Sequence, residues 1–528
     1  PSVSSSQTTV HTVVNGNTNE KDNGCIEFVK VEEQDDPMQW PRWKKMKVAI
    51  ATVGFSVFVS SATSTFAQGI YQMVDDLDTS TELGNVAMGI YVVAFAFPPM
   101  LLAGLSEEYG RNKLYGLSYL LYMLFFLPVA LSPTIYGVII ARLLQGFAAS
   151  TGSTITAGSI SDMYTGYERG IWMSIFAASA PFSTGVAPVA YSYVPQMYEM
   201  HFKGSKGVGG WRWIQIIQLL VVAAWGIVMF AWVRETRLNV IMKAKAKRLR
   251  QETGNNNLRA ESEVYKLTKK EMFRKSLFRP LKFVATEPIV QVFSLFIGFA
   301  WAVFFSLQAS ISHVFLTLYS ENYGMNHGSV GFVFIAIIIG TVCGFTFNFY
   351  FQEKWFYHRF QKSASVEARL GSAMISGLIF PIGAFIYAFT TYDFVHWIAP
   401  CIAIAVIMMG IFPIYYSSMN YLSDCYMTNA SSALAAIAMV RNLTGGIIQF
   451  VITQWLDGLG DRFQYPLLMI AVMATVLGGI PIVLFIWGKR IRQRSKYASV
   501  LTDKGLKEDE VIVQEKVHHG RRLSISQA

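Results

Sequence analysis

Runs of about twenty apolar residues recur along the whole chain, and no other feature limits its fold so severely. A helix of that length crosses a hydrocarbon core of about 30 Å with its backbone polar groups bonded internally. Spans 1 to 12 are expected near residues 46–70, 86–107, 113–132, 135–160, 168–195, 211–233, 288–312, 329–351, 370–392, 394–422, 433–456 and 464–488. Only 15% of the 528 residues are charged, against about 25% in soluble domains, which excludes a soluble fold. The expected class is an all-α membrane protein with twelve transmembrane helices.

The net charge of +10 does not point to nucleic acid, because its distribution follows the spans. Arg42, Lys44, Lys45 and Lys47 precede span 1, Arg111 and Lys113 follow span 2, and Arg169 follows span 4. The pattern continues in 243–282, in Lys354, Arg359, Lys362 and Arg369 after span 8, and in Lys489, Arg490, Arg492, Arg494 and Lys496 after span 12. The first opposite connection carries Asp75, Asp76, Asp78 and Glu82 and no base. The positive-inside rule then places both termini in the cytoplasm.

Residues 234–285 form the longest internal connection and divide the spans six and six, giving halves at 37–233 and 286–488. The polar segment 1–36 is expected to be disordered, and no cleaved signal peptide is expected before span 1. Residues 239–250 read as a basic amphipathic helix, either on the membrane surface or as a solvated linker. The cytoplasmic tail 489–528 holds Arg521-Arg522-Leu523-Ser524, where phosphate would add negative charge. Cys25, Cys343, Cys401 and Cys425 form no extracellular disulfide pattern. The sequons at Asn429 and Asn442 fall in a cytoplasmic connection and a span, so neither is expected to be glycosylated.

Arg142 and Arg441 stand inside apolar runs, and a guanidinium at membrane depth must meet a carboxylate, carbonyls, water or an anionic substrate. Arg142 opens Arg142-Leu-Leu-Gln145-Gly146, followed by the small residues Ala149, Gly152, Ser153 and Ala157, which allow close helix approach. Between spans 2 and 3, Glu107, Gly110, Arg111 and Lys113 place an acid, a turn-forming glycine and two bases within seven residues. Such a cluster reads as a cytoplasmic latch between the halves or as a basic loop serving topology. Pro181, Gly185 and Pro188 supply a kink and close packing in span 5.

These motifs resemble those of the major facilitator superfamily, two six-helix halves that rock around a central site. Arg234-Glu-Thr-Arg, residues 245–254, Val366 to Leu370, Asn420 to Tyr426, Ser432 to Arg441 and Gly488 to Tyr497 are similar to the fungal twelve-span drug:proton antiporters. The resemblance covers roughly residues 37–498. It implies a role for Arg142 in proton coupling, an antiporter motif for the Pro181–Pro188 stretch, and the plasma membrane ahead of the vacuole. That motif is degraded here by Ser183, Thr184 and Ala187, which weakens the inference of export.

Polar groups on otherwise apolar spans are the candidates for substrate contact: Ser60, Ser64 and Gln68 on one face of span 1, with Gln145, Gln308, Tyr415, Asn420, Asn442 and Gln449 elsewhere. Ser418 belongs to the same group. For proton coupling the candidates are Arg142, His313, Asp424 and Arg441, with Asp424 able to pair with Arg441. No Asp or Glu lies within spans 1, 4, 7 or 11, span 5 holds only Glu168 at its first position, and Asp162 and Asp424 lie near span ends. A neutral or anionic organic substrate is therefore expected rather than a polyamine.

The leading expectation is a secondary transporter exporting small organic compounds against inward proton flow. Proton-coupled uptake of a nutrient or organic acid, or a non-transporting sensor on the same fold, remain alternatives. No Walker loop, HExxH, nucleophile elbow or Cys/His cluster supports an enzyme. No cofactor or metal is expected. The expected partners are a small organic substrate, protons and the lipid bilayer, with no nucleic acid and a monomeric chain.

Overall fold

The computed structural model describes residues 27–29, 31–197, 209–255, 257–264, 269–356, 366–426, 430–458 and 462–495. Among them are twelve helices long and apolar enough to cross a membrane. Spans 1 to 6 are Arg42–Ala67, Thr81–Leu102, Arg111–Leu131, Ile135–Met163, Glu168–Met197 and Gly210–Trp232. Spans 7 to 12 are Pro288–Tyr323, His327–Phe356, Val366–Thr390, Ile398–Tyr426, Ala430–Leu456 and Gln464–Arg494. Every expected span is found, and the protein is a multi-pass membrane protein. Several helices continue beyond their apolar runs. Span 7 runs past residue 312 to Tyr323, until Gly324 at φ 61° ends it.

An even span count puts the start of span 1, the end of span 12 and the connection between spans 6 and 7 on one side, here called proximal; the other side is distal. Local chemistry sets the helix starts. Ser80 Oγ accepts from the Leu83 N–H at 3.4 Å and Thr134 Oγ1 from the Gly137 N–H at 3.3 Å, capping spans 2 and 4. Span 2 breaks after Ala94 and resumes at Pro98, where the missing N–H costs nothing.

The two halves meet mainly along two helix pairs. In spans 2 and 11, a Cβ on Gly89 would sit 2.5 Å from the Gly446 carbonyl oxygen. In spans 5 and 8, a Cβ on Gly185 would lie 2.6 Å from Ile338 Cγ1 and 3.1 Å from the Phe334 carbonyl oxygen. Both pairs thus approach closely enough to require glycine. On the distal side, Asn85 Nδ2 donates to Thr453 Oγ1 at 3.2 Å and Ser192 Oγ to the Gly328 carbonyl at 2.9 Å. On the proximal side, Leu277 and Val284 of the helix Lys269–Thr286 pack against Ala96, Met100 and Met439. The halves touch at both faces of this conformer.

Of the segment 1–36, residues 1–26 and 30 lie outside the described residues. Strand Glu27–Phe28 pairs in parallel with Leu258–Arg259, and Lys245 Nζ meets Glu32 Oε1 at 2.7 Å and Asp35 Oδ2 at 2.5 Å. The amphipathic helix expected at 239–250 is Leu238–Thr253. Its buried Met242 and Ala246 pack with Ala260 and Val29, so the chain itself covers the apolar face. Cys343, Cys401 and Cys425 are free thiols, while Cys25, Asn429 and Ser524 lie outside the described residues.

Candidate functional site

Arg142 stands seven residues into span 4, about 10 Å from its distal end at 1.5 Å per residue. Its side chain is 0% exposed. Gly146, one turn on and on the same face, explains how such a residue is enclosed: a Cβ there would lie 2.5 Å from the Tyr91 carbonyl oxygen, so span 2 comes against span 4. The guanidinium donates from Nε to the Ala87 carbonyl at 3.4 Å and from Nη1 to the Ala62 carbonyl at 3.4 Å and Gln145 Oε1 at 3.1 Å. Its Cζ lies 4.4 Å from the Phe66 ring centroid and 4.2 Å from that of Tyr91. Nη2 has no hydrogen-bond partner, and among the described residues no carboxylate pairs with this cation.

Arg441, in span 11, is enclosed differently. Nη1 donates to the Tyr415 hydroxyl at 2.9 Å and Nε to Asn442 Oδ1 at 3.1 Å, with the Trp301 ring 5.0 Å from Cζ. A continuous set of contacts links the two arginines across the halves. Tyr91 packs edge-on against Phe95 at 5.0 Å, and the Phe95 carbonyl accepts from Asn442 Nδ2 at 3.2 Å. Asn442 is therefore both buried and bonded, as befits a sequon inside a span.

Three more candidate amides hold unpartnered polar atoms in the interior: Nε2 of Gln145 and both side-chain polar atoms of Gln308 and of Gln449. Buried amides in this state require water or a ligand. Gln308 lines a distal cleft with Tyr71, Asn85, Ser312 and Thr453. His313, one turn beyond, has its Nδ1 3.5 Å from the Tyr71 hydroxyl, joining the second half to the first. The span 1 face is less available. Ser64 Oγ bonds the Ser61 carbonyl and Gln68 Nε2 the Ser64 carbonyl, both on their own helix, while Ser60 is half-buried. Asn420 Nδ2 and Ser418 Oγ likewise bond carbonyls one turn back.

Two expectations are corrected at the proximal side. Asp424 does not pair with Arg441: its Oδ2 accepts from Arg369 Nε at 2.9 Å. The Gly110–Arg111 cluster does not latch one half to the other. Gly110, at φ 94°, turns the chain so that the first N–H groups of span 3, those of Arg111 and Asn112, reach Glu235 at 3.0 and 3.1 Å. Arg111 Nε meets Asp162 Oδ2 at 2.8 Å, and Arg237 Nη1 meets Asp162 Oδ1 at 3.5 Å. Asp162 belongs to the first half and Glu235 and Arg237 to the start of the connection after span 6, so none of these partners lies in the second half. Lys113 is exposed, and the side chain of Glu107 lies outside the described residues.

The second half repeats the device. Arg369, at the start of span 9, pairs with Asp424 at the end of span 10, and Glu367 pairs with Arg492 in span 12 at 2.8 Å. Each half is thus clamped at its proximal end as a unit. In span 5, Pro181 and Pro188 lie inside the continuous helix Gly166–Tyr191, with Gly185 between them at the contact with span 8.

Phe66, Tyr91, Trp301 and Glu235 were not singled out by the sequence pattern. Gly146 at one turn from Arg142 was the available signal for an approaching helix, but not for which aromatic it carries.

Twelve spans in two clamped halves, with a buried cation and unpartnered amides in the interior, are the architecture of a polytopic membrane protein. The sequence model of the Major Facilitator Superfamily matches residues 50–449, and the chain belongs to that family. It is 29% identical over 484 residues to the efflux pump radE of Floropilus chiversii, covering 90% of this chain and 86% of the relative. It is 28% identical over 471 residues to polyamine transporter 3 of Saccharomyces cerevisiae, covering 89% of this chain and 73% of that one. The solved proton:xylose symporter XylE shares the fold, with a TM-score of 0.59 at 12% identity over 85% of this chain and 96% of that one.

Proposed function

We propose that this transporter exports small organic compounds, neutral or anionic, from the cytoplasm in exchange for inward-moving protons. The observation that carries the substrate class is Arg142: fully buried, without a carboxylate partner, and with one guanidinium nitrogen unbonded beside the Gln145 amide. A cationic substrate would meet uncompensated repulsion there, whereas a carboxylate or carbonyl would complete the nitrogen's bonding. Similarity to a fungal efflux pump supports the direction.

In this reading the halves, 37–233 and 286–488, rock about the Gly89–Gly446 and Gly185–span 8 contacts, which are close and smooth enough to slide. Arginine keeps its charge, so the transported proton belongs on another group. His313 is our candidate, because an imidazole can take up and release a proton and its Nδ1 lies 3.5 Å from the Tyr71 hydroxyl of the other half. The proximal side, rich in bases, faces the cytoplasm, and the membrane is the cell surface. The chain acts as a monomer.

The test is flux in proteoliposomes with an imposed pH gradient, using a panel of organic acids, neutral amphipathic compounds and spermidine. Gradient-driven movement of the first two classes and little of spermidine is expected. Strong preference for spermidine would overturn the substrate class, and flux indifferent to the gradient would overturn antiport.

A further inference from the structure

Spans 1 and 6 are seated together by Gly54, where any Cβ would collide with the Trp225 indole, and Trp225 Nε1 donates to the Ala51 carbonyl at 3.3 Å. Their proximal ends therefore lie side by side. Lys47 Nζ is 4.9 Å from the Trp43 ring centroid and 5.8 Å from that of Trp232, the last residue of span 6. Lys44 Nζ is 3.7 Å from the Trp40 ring, and Arg234 follows Trp232 by two residues at the end of span 6. The deeper cations of this side, Arg111, Arg237, Arg369 and Arg492, each meet a carboxylate. Among the described residues none pairs with Lys44, Lys47 or Arg234.

The surface beside this trio is apolar. Trp43, Met46 and Ile50 are exposed on the face of span 1 that carries Lys47, as are Ile227 and Phe230 on span 6, seven and four residues before Arg234. Indoles at a span end mark the headgroup level. We propose that Lys44, Lys47 and Arg234 bind the phosphate headgroup of an anionic phospholipid in the proximal leaflet, with its acyl chains along Met46, Ile50, Ile227 and Phe230. Three like charges at adjoining span ends favour an anion at the headgroup level, and the apolar strip beside them distinguishes a lipid from free phosphate. The site stands apart from the transport reading and survives its failure.

The test reconstitutes the full chain in vesicles of equal parts phosphatidylcholine and phosphatidylserine, then counts retained lipids by native mass spectrometry. The wild type should retain phosphatidylserine preferentially, and K44Q/K47Q/R234Q should lose that preference by about tenfold or more. K489Q/R490Q, which removes exposed cations at the same side of span 12, should keep it. The exposed K47Q alone should lose it several-fold, which keeps the test decisive if the triple variant folds poorly. Retention by the triple variant, equal loss in K489Q/R490Q, or complete displacement of the lipid by inorganic phosphate would each overturn the proposal.

Discussion

Removing the acid from each proximal clamp should rank the clamps by burial. Arg111 and Asp162 have side chains 7% and 14% exposed, Arg492 and Glu367 8% each, and Arg369 and Asp424 21% and 42%. Breaking a buried pair leaves an uncompensated charge and costs about 3–5 kcal/mol, whereas a solvated pair contributes roughly 0–1 kcal/mol. D162N should fall at the upper end of the first range, because Arg237 loses its partner together with Arg111. E367Q should follow, and D424N should cost about 1 kcal/mol. A unit of 150–250 residues loses about 2–4 °C of melting temperature per kcal/mol, and each half is about that size. D162N should then lower the melt by roughly 10 °C and D424N by a few degrees. Thermal melting of purified protein in one detergent provides the readout, with R111M/D162L regaining only the part of the loss due to Arg111, because the Arg237 ion pair to Asp162 stays broken. A D424N shift as large as that of D162N would refute the reasoning.

The amino-terminal belt should depend on pH. The Lys245 hydrogen bond holds the Glu32 carboxyl below its ordinary 4.5. Burial pulls the Lys245 ammonium down, but hydrogen bonds to Asp35 and Glu32 outweigh this and set it above its ordinary 10.5. Glu32's contribution is present above 4.5 and lost as pH falls through its lowered value, while Lys245's is present below 10.5 and lost as pH rises through its raised value. Protease resistance of residues 27–36 should therefore hold at pH 7 and fall below about pH 4.5, whereas K245Q should be sensitive at both; pH-independent resistance would contradict this. In protein lacking its four native cysteines, bridging N85C and T453C with a short thiol reagent should block transport and spare melting. Undiminished flux after complete cross-linking would show that the distal contact does not open.

Much of this architecture was legible because a bilayer admits so few solutions. Apolar length alone located all twelve spans, and an arginine in span 4 announced its own importance by the cost of placing it there. What could not be read was pairing across helices. Asp424 and Arg441 lie near each other in sequence, yet the register of spans 9 and 10 gives Asp424 to Arg369. Glu235 looks like a loop acid until Gly110 turns two N–H groups toward it. Phe66, Tyr91 and Trp301 are hidden among many apolar aromatics, since no local signal says which ring faces a cation. Glu27 and Phe28 lie in a stretch without periodicity, and their strand forms against a partner some 230 residues away.

Arg142 and the proton gradient together carry the account, so the most direct measurement is efflux from proteoliposomes with and without an imposed pH gradient, for wild type and R142A. The account predicts gradient-driven export of an organic anion or neutral compound by the wild type and its loss in a folded R142A protein. Gradient-driven export that continues unchanged in R142A would contradict it and leave Arg142 a structural residue bonded to the Ala62 and Ala87 carbonyls.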